Sequence, residues 1–176
     1  MYLLHTADAW SFRNEMVHQY AEHPDCGDLF LGDWSPLATA PEDIGWSNET
    51  MIIKVGQTRV GYVYWHIDRG NDYVDQLGIF VAPPFQNSGA GIVAGAGLFK
   101  YLLKIRGFRK LEFMCTMHRA QLYERSGLKP LGVKRKMVKM RNGKYADISL
   151  FEVFKQDLRP SLLKAANRVK FYEEQA

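Results

Sequence analysis

The stretch Gln86-Asn87-Ser88-Gly89-Ala90-Gly91 runs directly into Ile92-Val93-Ala94-Gly95-Ala96-Gly97-Leu98-Phe99-Lys100-Tyr101-Leu102-Leu103-Lys104. Just upstream, Tyr73-Val74-Asp75-Gln76-Leu77-Gly78-Ile79-Phe80-Val81 has the make-up of a strand, and Pro83-Pro84 ends it because neither proline can donate to a ladder. A glycine-rich turn between a strand and an amphipathic helix leaves amide hydrogens free at the positive end of the helix dipole. That arrangement binds phosphate. The turn is not a P-loop, since Ile92 and Val93 stand where lysine and serine or threonine are needed. Nor is it a Rossmann fingerprint, which wants an acid at the tip of the next strand, whereas Glu112 lies inside that strand.

Working outward, a short strand (Tyr2 to His5) leads to a helix from about Ala9 to Glu22, with Phe12, Met16, Val17 and Tyr20 on one stripe and Asp8 as a cap. Residues 24 to 49 show no clear period, and a loop this long is more often functional than idle. Met51 to Val55 and Arg59 to Ile67 read as strands joined by a Gly56-Gln57-Thr58 turn. Gly78 inside the next strand suggests a bulge or a close backbone approach. Downstream come a strand (Lys110 to Thr116), a short helix (about Arg119 to Ser126), a strand (about Leu131 to Met140), an Asn142-Gly143 turn and a strand (Tyr145 to Phe154). A last helix is expected from about Pro160 to Glu173, with Leu162, Ala166 and Val169 on one stripe. Gly91 and Gly95 fit tight packing of their helix on the sheet.

The 176 residues suit one globular domain, and 10 Phe, 9 Tyr and 4 Trp exclude disorder. No stretch approaches the length of a membrane helix, the amino terminus does not read as a secretory signal, and Cys26 and Cys115 are too few for a disulfide framework. A soluble cytoplasmic protein is the expectation. The net charge of +4 conceals an asymmetry: residues 1 to 49 hold nine acids and the single base Arg13. The run Lys129 to Lys144 holds seven bases and no acid. Nucleic-acid binding is one reading of that run, and a solvated strand edge is the plainer one. His18, His23, Asp25 and Cys26 cluster in sequence, but two histidines five apart on a helix share a face poorly, so no metal is expected.

The glycine turn resembles the coenzyme A loop of the GNAT superfamily of N-acyltransferases, Gln/Arg-x-x-Gly-x-Gly/Ala. Gln86, Gly89 and Gly91 match it, and Ile79-Phe80-Val81-Ala82-Pro83 matches the apolar strand and proline that usually precede it. Leu122-Tyr123-Glu124-Arg125-Ser126-Gly127-Leu128 is similar to the later Leu-Tyr-Glu-Lys-x-Gly-Phe segment of that family. Thr116 and Arg119 stand where the family often has asparagine and a small residue. The element order agrees over residues 1–154, leaving 155–176 as a helical extension.

The resemblance implies an α+β fold, a mixed and mostly antiparallel sheet of about seven strands flanked by helices. It also implies acetyl-CoA as cosubstrate and direct transfer to a primary amine. The amides of Gln86, Asn87, Ser88, Gly89, Ala90 and Gly91 would hold the pyrophosphate. The backbones of Ile79 and Val81 would pair with the pantetheine arm. Tyr123 would be the acid and Asp75, or a water it orders, the base, with His66 second in line and His118 behind it. An acidic first third would favour a cationic amine, and the basic remainder the anionic cofactor. A homodimer is compatible, and a GNAT-like binding module without turnover is the alternative.

Overall fold

A computed structural model describes residues 1–20, 47–139 and 143–173. Among the described residues, four helices flank one eight-stranded sheet. The elements are β1 (Tyr2–His5), α1 (Ala9–Tyr20), β2 (Ser47–Val55), β3 (Thr58–Asp68), β4 (Tyr73–Val81), α2 (Ala90–Lys100), β5 (Lys110–Thr116), α3 (Met117–Arg125), β6 (Pro130–Lys139), β7 (Tyr145–Phe154), α4 (Pro160–Ala166) and β8 (Lys170–Glu173). The strand order is β6-β7-β5-β4-β3-β2-β1-β8. Of these pairings, β1–β8 and β4–β5 are parallel and the rest antiparallel. The irregular stretch at 24–46, the acids at 22, 25, 28, 33, 42 and 43, His23, Cys26 and Asn142 of the expected turn all lie outside the described residues.

Two apolar layers sandwich the sheet. On one face α1 sets Phe12, Met16 and Val17 against Ile52, Tyr62 and Phe80. On the other, α2 buries Ala94, Leu98 and Phe99 with Val63, Trp65, Leu111 and Phe113. Small residues bring α2 close to the strands: a Cβ on Gly95 would stand 2.8 Å from Ile79 Cδ1. The Asp8 carboxylate receives the Thr6 hydroxyl and Arg59 Nη1, the latter at 2.7 Å. These contacts hold it below the usual carboxylate range.

The carboxy-terminal segment corrects one expectation. A single helix over 160–173 is replaced by α4, a break at Asn167, and β8 running parallel to β1. Leu162, Ala166 and Val169 still face the core, but Val169 does so from the approach to a strand, and its branches would meet any Cβ at Gly97 at 2.7 Å. The sheet therefore has eight strands where about seven are expected from the resemblance.

Lys134, Arg135, Lys136 and Lys139 of the basic run lie on β6, the outer strand beside β7, exposed along almost its whole length. The ladder slips between Lys134 and Val138, where Lys136 has a positive φ and donates its amide to Asp147 at 2.8 Å. Charge and a bulge on an edge strand both discourage sheet-to-sheet aggregation.

Candidate active site

Strands β4 and β5 pair only at Tyr73–Lys110 and Val74–Leu111. Beyond those two pairs they part, although β3 holds β4 as far as Val81 and β7 holds β5 as far as Thr116. The cause sits in β4. Tyr64 pairs with Gly78 and His66 with Asp75, so β4 carries one residue more than β3 across this interval, and Gln76 adopts φ 50°. A bulge of this kind bends its strand and ends regular pairing. Gly78 serves a different purpose, because a Cβ there would lie 2.1 Å from the Tyr64 ring and only glycine leaves room for that ring over the strand.

A cavity of about 370 Å³ runs through the opening. From the α1 face come Tyr64, Asp75, Glu112, Met114, Thr116, Ile148 and Leu150, with Lys134, Met137 and Val138 beyond. Gln76 lines its edge, and Leu77, Phe113 and Cys115 reach it from the α2 face. Asp75 is thus a wall residue. His66 lies beside it, buried, and its Nδ1–H donates to Asp75 Oδ1. The two leading candidates for a base, nine residues apart in sequence, form one hydrogen-bonded pair. His118 is exposed at the start of α3 and does not line the cavity.

Arg13 belongs to no motif that would mark it in the sequence. Its guanidinium is buried under α1, 4.3 Å from the Trp10 ring centroid and 4.5 Å from that of Tyr64. Burial lowers its pKa, and burial raises that of Tyr64. Arginine over an aromatic face is a favourable placement. Here it fixes a ring that lines the cavity.

At the far end of β4 the chain turns into α2. Gln86 Nε2 donates to the Val81 carbonyl at 3.0 Å, and Ser88 Oγ to that of Phe85 at 2.6 Å. Asn87 and Gly89 both have positive φ, and Gly89 is the residue from which the helix starts. The first intrahelical bond is Val93 N–H to Gly89 O at 3.1 Å, so the amides of Gly91 and Ile92 have no acceptor within the helix. Nothing lies within 4 Å of where a Gly89 side chain would begin, and Asn87, Ser88 and Gly89 leave the turn open to solvent on that side. This chain therefore presents an open, amide-lined turn that fits a pyrophosphate, and an unpaired β4 edge that fits an extended arm.

Tyr123 sits on α3, its ring centroid 4.7 Å from that of Phe113 and 5.6 Å from that of Phe151. The helix ends in a Schellman turn, Gly127 N–H to Glu124 O at 2.8 Å and Leu128 N–H to Tyr123 O at 3.1 Å. This explains the Gly-Leu that closes the segment: Gly127 takes φ 93° and Leu128 plugs into the core. Tyr123 does not line the cavity itself, lying behind Phe113 on the α2 face. Burial pushes its phenol up to about 12, with Cys115 adding to the rise and Arg119 opposing it. Burial likewise pushes the Cys115 thiol up to about 11.

The fold as a whole matches solved acetyltransferases. The chain superposes on a spermidine N-acetyltransferase SpeG chimera from Vibrio cholerae and hSSAT with a TM-score of 0.66, covering 89% of this chain and 96% of that one at 16% identity. This is the GNAT acetyltransferase fold. Mutant forms of the spermidine/spermine N-acetyltransferase SpeG from Vibrio cholerae give a TM-score of 0.57 over 72% of this chain and 73% of theirs, at 19% identity. A protein from T. thermophilus described as an acetyltransferase gives 0.57 over 69% of this chain and 66% of that one, also at 19% identity. No protein-family model matches the chain, and no curated sequence does. The GNAT fold is thus carried by the overall superposition and element order at low sequence identity.

Proposed function

We propose that the protein is an acetyl-CoA-dependent N-acetyltransferase that transfers the acetyl group directly to a primary amine. The observation that carries this reading is the cavity where β4 and β5 part, walled by Asp75 and continuous in chain order with the amide-lined turn at 86–91. Acetyl-CoA supplies an acetyl thioester, whose carbonyl carbon bonds to the amine nitrogen as the sulfur leaves as thiolate. The amides of Asn87, Ser88, Gly89 and Gly91 hold the pyrophosphate, whereas Gln86 and Ala90 brace the turn instead, their amides donating to the Pro83 carbonyl at 3.1 Å and to Ser88 Oγ at 3.3 Å. The β4 edge at Ile79 and the Val81 amide pair with the pantetheine arm, the Val81 carbonyl being taken by Gln86 Nε2. A strand amide there also supports the developing oxyanion, worth about 3 kcal/mol where such donors have been removed.

Asp75 accepts the proton of the incoming ammonium, directly or through water. His66 orients that carboxylate from behind. Tyr123 is the proposed acid for the sulfur; because it stands behind Phe113 outside the cavity, this role requires the thioester to lie on the α2 side of the β4–β5 opening. A phenol held near 12 keeps its proton at neutral pH but is a weaker acid than an ordinary tyrosine, so the transfer draws on the charge developing at sulfur and not on a favourable pKa match. Cys115 is no rival nucleophile, because a thiol near 11 is thiolate in only about one molecule in ten thousand at pH 7. A cationic amine suits Asp75, and structural neighbours named for spermidine and spermine are in keeping with an amine acceptor.

The test is thiol release from acetyl-CoA with a panel of amines and lysine peptides. Turnover that needs both substrates is expected; the absence of both turnover and CoA binding would remove the proposal.

A further inference from the structure

The cavity is polar at one end and apolar at the other. Asp75 and Glu112 flank the end where β4 and β5 still pair, while Met114, Ile148 and Leu150 form a continuous floor across β5 and β7. Cross-strand register explains the floor, since Met114 opposes Leu150 and Thr116 opposes Ile148 on the same face. The charges are largely matched within the protein. Glu112 receives Lys110, which also donates to Glu152 at 2.9 Å, and among the described residues the one further charge on the wall is the cation Lys134. Among the described wall residues, Asp75, whose Oδ1 already receives His66, is left with its second oxygen for an incoming ammonium.

Resting on the acetyltransferase reading, we propose that the acceptor is a monoamine on an apolar body, an arylalkyl or long-chain alkyl amine, and not a polyamine. Such a molecule sets its ammonium at Asp75 and its hydrocarbon along Met114, Ile148 and Leu150, with the Tyr64 ring as a side wall. A volume of about 370 Å³ holds a ring and a short chain. A polyamine would carry its second and third ammonium groups onto the apolar floor toward Lys134. There, among the described wall residues, each would lose its hydration and approach the Lys134 cation without gaining a carboxylate.

The experiment is calorimetric binding of 2-phenylethylamine, hexylamine and spermidine to the full chain with CoA present, with thiol release from acetyl-CoA measured in parallel. The two monoamines are expected to bind at least tenfold more tightly than spermidine. Leu150→Gln, which places a polar group on the floor, is expected to erase most of that advantage. Spermidine binding as tightly as the monoamines, or no binding of any amine, overturns the proposal. Preferential monoamine binding without thiol release supports the pocket assignment and removes the transferase reading, so the two failures are separable.

Discussion

His66 and Asp75 meet across β3 and β4 at the point where β4 bulges, and the buried imidazole donates to a carboxylate that walls the cavity. A base held in this way should depend on both its charge and its orientation. Asp75→Asn removes proton acceptance at nearly constant shape, so kcat is expected to fall by about 10²- to 10³-fold with the acetyl-CoA KM little changed. Steady-state kinetics on both substrates checks this. His66→Asn keeps a donor near the Nδ1 position and His66→Leu does not, so the leucine variant should lose about tenfold more rate. The excess loss should fall on kcat with the acetyl-CoA KM little changed, whereas equal losses in both variants would mark His66 as structural only.

Tyr123→Phe removes the proposed acid without opening a cavity. Loss of about 10²-fold in kcat with unchanged CoA affinity by calorimetry is expected. Unchanged kcat would remove Tyr123 from the chemistry and favour a packing role against Phe113 and Phe151.

Tyr123 and Cys115, both titrating late, set an alkaline stability limit. Tyr123 is raised from 10.0 to about 12 and Cys115 from 9.0 to about 11, so between roughly pH 9 and 12 the folded chain binds more protons than the unfolded one. Stability contributed by the neutral forms is complete below pH 9 and is lost as pH rises through the folded values. Tyr123 alone accounts for about 2–3 kcal/mol across that window. Urea midpoints from pH 8 to 11 should fall in wild type and fall less in Tyr123→Phe combined with Cys115→Ala.

Two glycines make paired predictions. Gly78→Ala drives a Cβ into Tyr64, a ring with little room because Arg13 stacks on its face. A cost of about 1–3 kcal/mol is expected, reduced when Tyr64→Ala is added. Gly97→Ala meets Val169 between α4 and β8 and should be rescued in part by Val169→Ala. Chemical denaturation of single and double variants reads both cycles, and strict additivity would deny the contacts.

Much of the fold is legible in local pattern. Tyr73–Val81, Lys110–Thr116 and Tyr145–Phe154 begin and end as their β-branched runs and flanking residues dictate. The Gly127-Leu128 pair marks a helix end by its own geometry. What escapes is non-local. Val169, on the approach to β8, continues the helical spacing of Leu162 and Ala166, and only pairing of the residues after it with β1, almost the whole chain away, makes a strand there. Gly78 points to irregularity in β4, yet the extra residue there is Gln76, and the glycine serves Tyr64 instead. Asp75 and His66 are legible singly, but their union requires the register that the bulge creates. Arg13 stands out in the sequence only as the single base of residues 1 to 49, and its place against Tyr62 and Tyr64 appears once α1 is laid on the sheet.

Amide hydrogen exchange with and without acetyl-CoA tests the assignment of the β4–β5 opening most directly. Slowed exchange confined to the free β4 edge at residues 77–81 and the turn at 87–92 is expected. Slowing elsewhere with none at these two segments, or no change at saturating acetyl-CoA, would contradict it.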